Sequence, residues 1–181
     1  MQDIIRFHVP CDIKYTKLVE DFSRIVAPHL YPECDEAFVS KLCAVMNEVF
    51  VNVVEHTDTA RENEIVRFQF EIGLKYFSIS IYDYGPGFTA DGHYPPYPKD
   101  VIGKKYHLRK TLDGDVYYKI ADPFSINFVF EEKEMDLDGF DALDTLQDNG
   151  LGLSIVTKLM DTVTYAYIGN GKFDWKLVKQ F

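Results

Sequence analysis

The sequence predicts an α/β (α+β) two-layer sandwich: a mixed, mainly antiparallel sheet with helices on one face. Three observations carry that prediction. Two pairs of strand-like runs are each joined by a short turn, Glu64 to Ile72 with Tyr76 to Asp83, and Thr162 to Ile168 with Phe173 to Val178 around Gly169-Asn170-Gly171. Three other stretches carry apolar residues at helical rather than alternating spacing. A length of 181 residues with 46% hydrophobic content is enough for one domain with a real core, 1–181, whereas two domains would each be small.

In chain order, Ile4 to Val9 reads as an opening strand. Pro10 and Asp12 then turn the chain into a helix from about Ile13 to Leu30, whose end Pro28 and Pro32 mark. A second helix runs from about Asp35 to His56, and a third covers Leu151 to Asp161, with Leu153, Ile155, Val156, Leu159 and Met160 as its apolar residues. Between Phe88 and Asn149, Val116 to Ile120 and Ser125 to Phe130 have strand composition with Asp122-Pro123 as a turn, so an extra hairpin is expected there. No internal repeat or low-complexity linker interrupts the chain.

Three segments carry chemistry. In Asn47-Glu48-Val49-Phe50-Val51-Asn52-Val53-Val54-Glu55-His56, residues Glu48, Asn52 and His56 are spaced four apart and share a helix face, with Val45, Val49, Val53 and Val54 to seat the helix on a core. That face offers a carboxylate able to polarise a water or hydroxyl, and an amide oxygen able to ligate a hard cation without adding charge. Magnesium suits it, because that ion keeps several waters and takes few protein ligands beside phosphates. In Asp83-Tyr84-Gly85-Pro86-Gly87 a carboxylate at a strand end can accept from an exocyclic amine, while two glycines let the backbone approach a flat ring. In Asn149-Gly150-Leu151-Gly152-Leu153 two glycines precede a helix, whose amides and positive end would face an anion. Singly, each is a solvated helix face, a turn or a helix cap; three in this order read as an ATP site.

Together these segments resemble the motifs of the Bergerat-fold (GHKL, histidine-kinase-like) ATPases, over nearly the whole chain. Within that superfamily, Asn47 to His56, the run Gly150 to Asp161 and the small size look most like the anti-sigma-factor serine/threonine protein kinases. The resemblance implies Glu48 as general base, Asn52 as magnesium ligand and nucleotide contact, and Asp83 as adenine reader. It further implies Gly85, Gly87, Gly150 and Gly152, with Leu151 and Leu153, as the stretch that cradles the nucleotide, and ATP and Mg2+ as cofactors. An anti-anti-sigma antagonist protein, a sigma factor and homodimerisation follow from it as expected partners. Two departures stand out. The stretch of about 88–149 is longer than the family's mobile lid, and the last strand, Gly171 to Lys176, lacks the Thr that many relatives use to support the adenine contact. Tyr165 and Trp175 read most simply as core or sheet-surface aromatics.

Composition narrows the function further. Lys+Arg 19 against Asp+Glu 29 gives a net charge of −10, which disfavours phosphate-driven nucleic-acid binding. The start carries no basic leader, and no stretch approaches a membrane span of roughly 20 apolar residues, so a cytoplasmic protein is expected. Cys11, Cys34 and Cys43 lack metal-type spacing and read as reduced thiols. The residues ahead of the Glu48 helix leave no room for a histidine kinase's phosphoacceptor hairpin, and the length leaves none for a topoisomerase's transducer domain. In the insertion, a basic cluster (Lys104, Lys105, His107, Arg109, Lys110) precedes an acidic run from Glu131 to Asp148. Both read as solvated faces, with a basic residue folding over the phosphates as the functional rival. The expected function is an ATP-dependent anti-sigma factor with kinase activity; the alternative is a nucleotide-gated interaction module with little or no phosphotransfer.

Overall fold

A computed structural model describes residues 3–31, 33–61, 63–111, 114–133 and 151–181, with Leu151 and Gly152 described by backbone alone. Its strands are β1 (Asp3–Pro10), β2 (Ile65–Ile72), β3 (Tyr76–Tyr84), β4 (Lys105–Thr111), β5 (Gly114–Asp122), β6 (Ser125–Glu132), β7 (Thr162–Gly169) and β8 (Lys172–Gln180). The helices are α1 (Thr16–Leu30), α2 (Glu36–His56) and α3 (Leu151–Leu159). One eight-stranded sheet runs in the order β1-β2-β3-β8-β7-β6-β5-β4. Every pairing is antiparallel, where the sequence reading allowed a mixed sheet. Hairpin turns join most neighbours, and no βαβ crossover is needed to build it.

Side-chain caps open α2 and the short turn that leads into α1. Asp12 accepts from the Lys14 amide at 3.0 Å ahead of a short 3₁₀ turn, and Asp35 accepts from the Phe38 amide at 2.7 Å. Pro28 sits inside the last turn of α1 rather than at its end. There the helix is closing anyway, and it stops at Leu30. Along α2, Leu42, Val45, Met46, Val49, Phe50 and Val53 are buried at three- and four-residue spacing, in one cluster with Phe68, Phe70, Ile79, Ile81 and Leu177 of the sheet. Each such side chain contributes roughly 1.5–3 kcal/mol. The most apolar 18-residue window of α2 reaches a mean hydropathy of 1.5, so this 21-residue helix is long and apolar enough to cross a membrane by length and composition. The sequence reading had found no such stretch; here the helix is the core helix, half of that window buried inside the protein.

The insertion is where the sheet outgrows its expected size. Val116 and Phe130 pair as anticipated, but the basic cluster forms a third strand, β4, on the outer edge. Its Tyr106 stacks on Tyr118 with ring centroids 5.2 Å apart. The polar residues on β4 hid a strand whose apolar contribution is only Tyr106 and Leu108. β6 then pairs with β7, Ile126 opposite Tyr165 and Phe128 opposite Val163, so residues 105–132 continue the sheet. Most of the acidic run lies outside the described residues.

Candidate nucleotide-binding site

α2, the turn after β3, the start of α3 and the inserted strands enclose one cleft of about 660 Å³. That size suits a nucleotide-sized ligand. From α2 it receives Glu48, Asn52 and His56, with Val51 and Glu55 beside them. The four-residue spacing brings the first three to one wall, because Val45, Val49 and Val53 between them are buried on the other side. The Asn52 amide nitrogen lies 3.5 Å from a Glu48 carboxylate oxygen, a long contact that turns the amine toward Glu48. Oδ1 is thereby the atom left for a cation.

Asp83 reaches the same cleft from β3. Its turn is tied to α2 by a buried threonine: Thr59 Oγ1 accepts from the Tyr84 amide at 2.8 Å, and the Thr57 hydroxyl donates to the Val53 carbonyl at 2.6 Å. Gly85 donates to the Gly171 carbonyl at 3.0 Å, which fixes the turn against the β7–β8 hairpin. Gly87 has φ +80, and a Cβ there would lie 2.1 Å from the Phe173 ring. Gly87→Ala is therefore expected to destabilise the fold by about 2–4 kcal/mol, combining left-handed strain with overpacking. Urea midpoints check this; an unchanged midpoint contradicts it.

Asp83 has no exposed surface. The Tyr165 hydroxyl lies 3.1 and 3.3 Å from its two carboxylate oxygens. Burial pushes the carboxyl up to about 7, opposed in part by donation from Tyr165 and Trp175. Burial, then the neighbouring Asp83, pushes the Tyr165 phenol up as well. Tyr165 lies parallel to Phe173, centroids 4.8 Å apart and 4° between planes, and Trp175 stacks on Phe128 at 5.4 Å. Tyr165 and Trp175, expected as core or sheet-surface aromatics, line the cleft together with Phe128, Phe88, Val116 and Leu108. Strand register would have shown it: Ile81 pairs with Trp175, and Trp175 with Tyr165, so all three share the face of Asp83 two residues on.

Of the third segment, Leu153 lines the cleft. Gly152 lies inside α3, which starts at Leu151, rather than ahead of it, and Gly150 lies outside the described residues. Sequence reasoning also left Arg109 undistinguished within its basic cluster. Among the described residues it is the one lysine or arginine lining the cleft, at a register shift between His107 and Arg109. Such an irregularity re-aims side chains. Cys11, Cys34 and Cys43 are unpaired thiols, Cys11 pushed up to about 11 by burial and by Asp12 and Asp83.

No curated protein matches the chain. A family model does: that of the histidine kinase-like ATPase domain matches residues 16–173, from the first turn of α1 to the Phe173 that packs under Gly87, and so spans all three motif segments. With that match over most of its length, and with Glu48, Asn52, Asp83 and Gly87 gathered around one cleft, the chain belongs to the histidine kinase-like ATPase domain family.

Proposed function

We propose that this protein is an anti-sigma factor with Mg-ATP-dependent serine/threonine kinase activity, acting on an anti-anti-sigma antagonist protein. The observation that supports it most is the placement of Glu48 and Asn52 together on one wall of the cleft that Asp83 and Gly87 also line. A bare nucleotide-holding site has no use for a carboxylate beside the cation position; phosphotransfer does. Asn52 supplies one neutral oxygen, and among the described residues no three His, Cys, Asp or Glu side chains converge. That donor set fits magnesium held mainly by phosphate and water. Bound there, the ion would offset the charge of the phosphates during transfer.

In this reading Asp83 accepts the adenine amine, and the aromatic wall takes the ring's faces. Glu48 orients a serine hydroxyl of the antagonist and accepts its proton as the oxygen bonds to the γ-phosphorus. The bond from that phosphorus to the β–γ bridging oxygen breaks, and ADP leaves. Phosphorylation would dismiss the antagonist and free the kinase to hold a sigma factor. The protein acts as a cytoplasmic homodimer in this scheme, without direct contact to nucleic acid or membrane. Arg109 reaches the cleft from the insertion, and in this reading it meets the phosphate end. Arg109→Ala is expected to weaken ATP roughly five- to tenfold and leave adenosine unchanged, as loss of one partly exposed charge contact would. Equal affinity for ATP in both proteins contradicts that placement.

The test is mass-spectrometric detection of phosphoserine on candidate antagonists after incubation with magnesium-ATP. Transfer by wild type supports the kinase. Tight ATP binding with no transfer favours the second reading, a nucleotide-gated interaction module. One observation favours that module: Asp83 is closed off by Tyr165, so nucleotide entry must rearrange the cleft wall and can thereby reshape a partner surface.

A further inference from the structure

The base slot already holds an occupant. Tyr165 presents a planar ring lying parallel to Phe173, with Trp175 4.7 Å away on its other contact, and a hydroxyl donating toward both oxygens of Asp83. A flat ring with one polar hydrogen aimed at this carboxylate is what an adenine would also offer. The hydroxyl sits across both carboxylate oxygens and Asp83 is fully enclosed, so an incoming amine reaches the carboxylate only where the phenol gives way.

We propose that Tyr165 is an affinity-setting residue of the slot: its phenol holds the Asp83 carboxylate when no nucleotide is bound, and a purine enters only by displacing that hydroxyl, with an exocyclic amine taking its place at Asp83. This rests on reading the cleft as a nucleotide site. A purine without the amine gains nothing at Asp83 when it displaces the phenol, and it leaves the buried carboxylate one donor short, with Trp175 still donating. The phenol thus raises the threshold for every ligand and lets an amine-bearing base cross it. The position lies in β7, outside the three motif segments, and the stacking on Phe173 with the tilted contact to Trp175 holds the ring ready to return.

The experiment is calorimetric titration of wild type and Tyr165→Phe with magnesium-ATP and with the 6-unsubstituted purine riboside triphosphate. Phenylalanine keeps the ring and its stacking while removing the competing donor. Tyr165→Phe is expected to bind ATP roughly tenfold tighter, the worth of a hydrogen bond to a charged group. Affinity for the amine-free triphosphate should rise by a similar factor, because either purine takes the slot only by displacing the same hydroxyl from Asp83. Unchanged or weaker ATP binding overturns the exchange and leaves the cleft a nucleotide site with Tyr165 as support. A gain for ATP with none for the amine-free triphosphate overturns it too, because that purine then binds with the hydroxyl left on Asp83. Should neither protein bind either triphosphate at millimolar concentration, the nucleotide reading itself falls, and the inference with it. Folding of the variant is checked by its near-UV circular dichroism and unfolding midpoint.

Discussion

Exchanging Glu48 for glutamine is expected to lower phosphotransfer by about 10²- to 10⁴-fold while moving magnesium-ATP affinity no more than roughly twofold. The substitution keeps the size of the side chain and its contact with the Asn52 amide, and removes only the basic oxygen. Glu48 stands on α2, whose opposite side is locked by Val45, Val49 and Val53, so the helix does not re-seat. The loss should therefore fall on the chemical step. Single-turnover rates beside equilibrium binding separate the two. A variant that transfers phosphate at the wild-type rate would remove Glu48 from the chemistry, whereas one that loses binding as well would make it a ligand contact.

The second large effect concerns Asp83 and pH. Its carboxyl, pushed from 3.8 to about 7 by burial, has a folded pKa above its unfolded one. The native state therefore binds this proton first. The associated stability is fully present below about pH 4 and is lost as pH rises through about 7. A shift of this size corresponds to a few kcal/mol, at about 1.4 kcal/mol per pKa unit. Asp174, raised to about 6 by burial with only Ser80 as a hydrogen-bond donor, adds a slope of the same sign. Asp83→Asn should remove one of the two contributions. Urea midpoints measured near pH 5 and near pH 8 should then differ less in the variant than in wild type. Equal differences would show that Asp83 titrates normally.

Where sequence met structure, the elements carrying both a period and a punctuation mark were legible. α2 showed its buried stripe; the β7–β8 hairpin showed its turn glycines, Gly169 and Gly171, both with positive φ. β4 was not legible, because Lys105, His107, Arg109 and Lys110 masked an alternation built on two apolar residues. Glu48 and Asn52 could be grouped because four-residue spacing fixes a helix face, and Asp83 joined them through the resemblance of the three segments to one family's motifs. Tyr165 could not. Its approach to Asp83 crosses β8 and depends on pairing register, which no local pattern encodes. The same applies to Phe128 and Arg109, which reach the cleft only because the insertion joins the sheet instead of folding over it.

The central claim is that this cleft binds magnesium-ATP through Asp83. Its most direct measurement is thermal unfolding of wild type and Asp83→Asn over a series of magnesium-ATP concentrations. Asparagine still accepts from Tyr165, so the fold is kept, but it turns an amide amine toward the position of the base amine. The account predicts stabilisation of wild type, about 2.7 kcal/mol at 100 times the dissociation constant, and little in the variant. Wild type that gains nothing at millimolar nucleotide, or a variant stabilised equally, would contradict it.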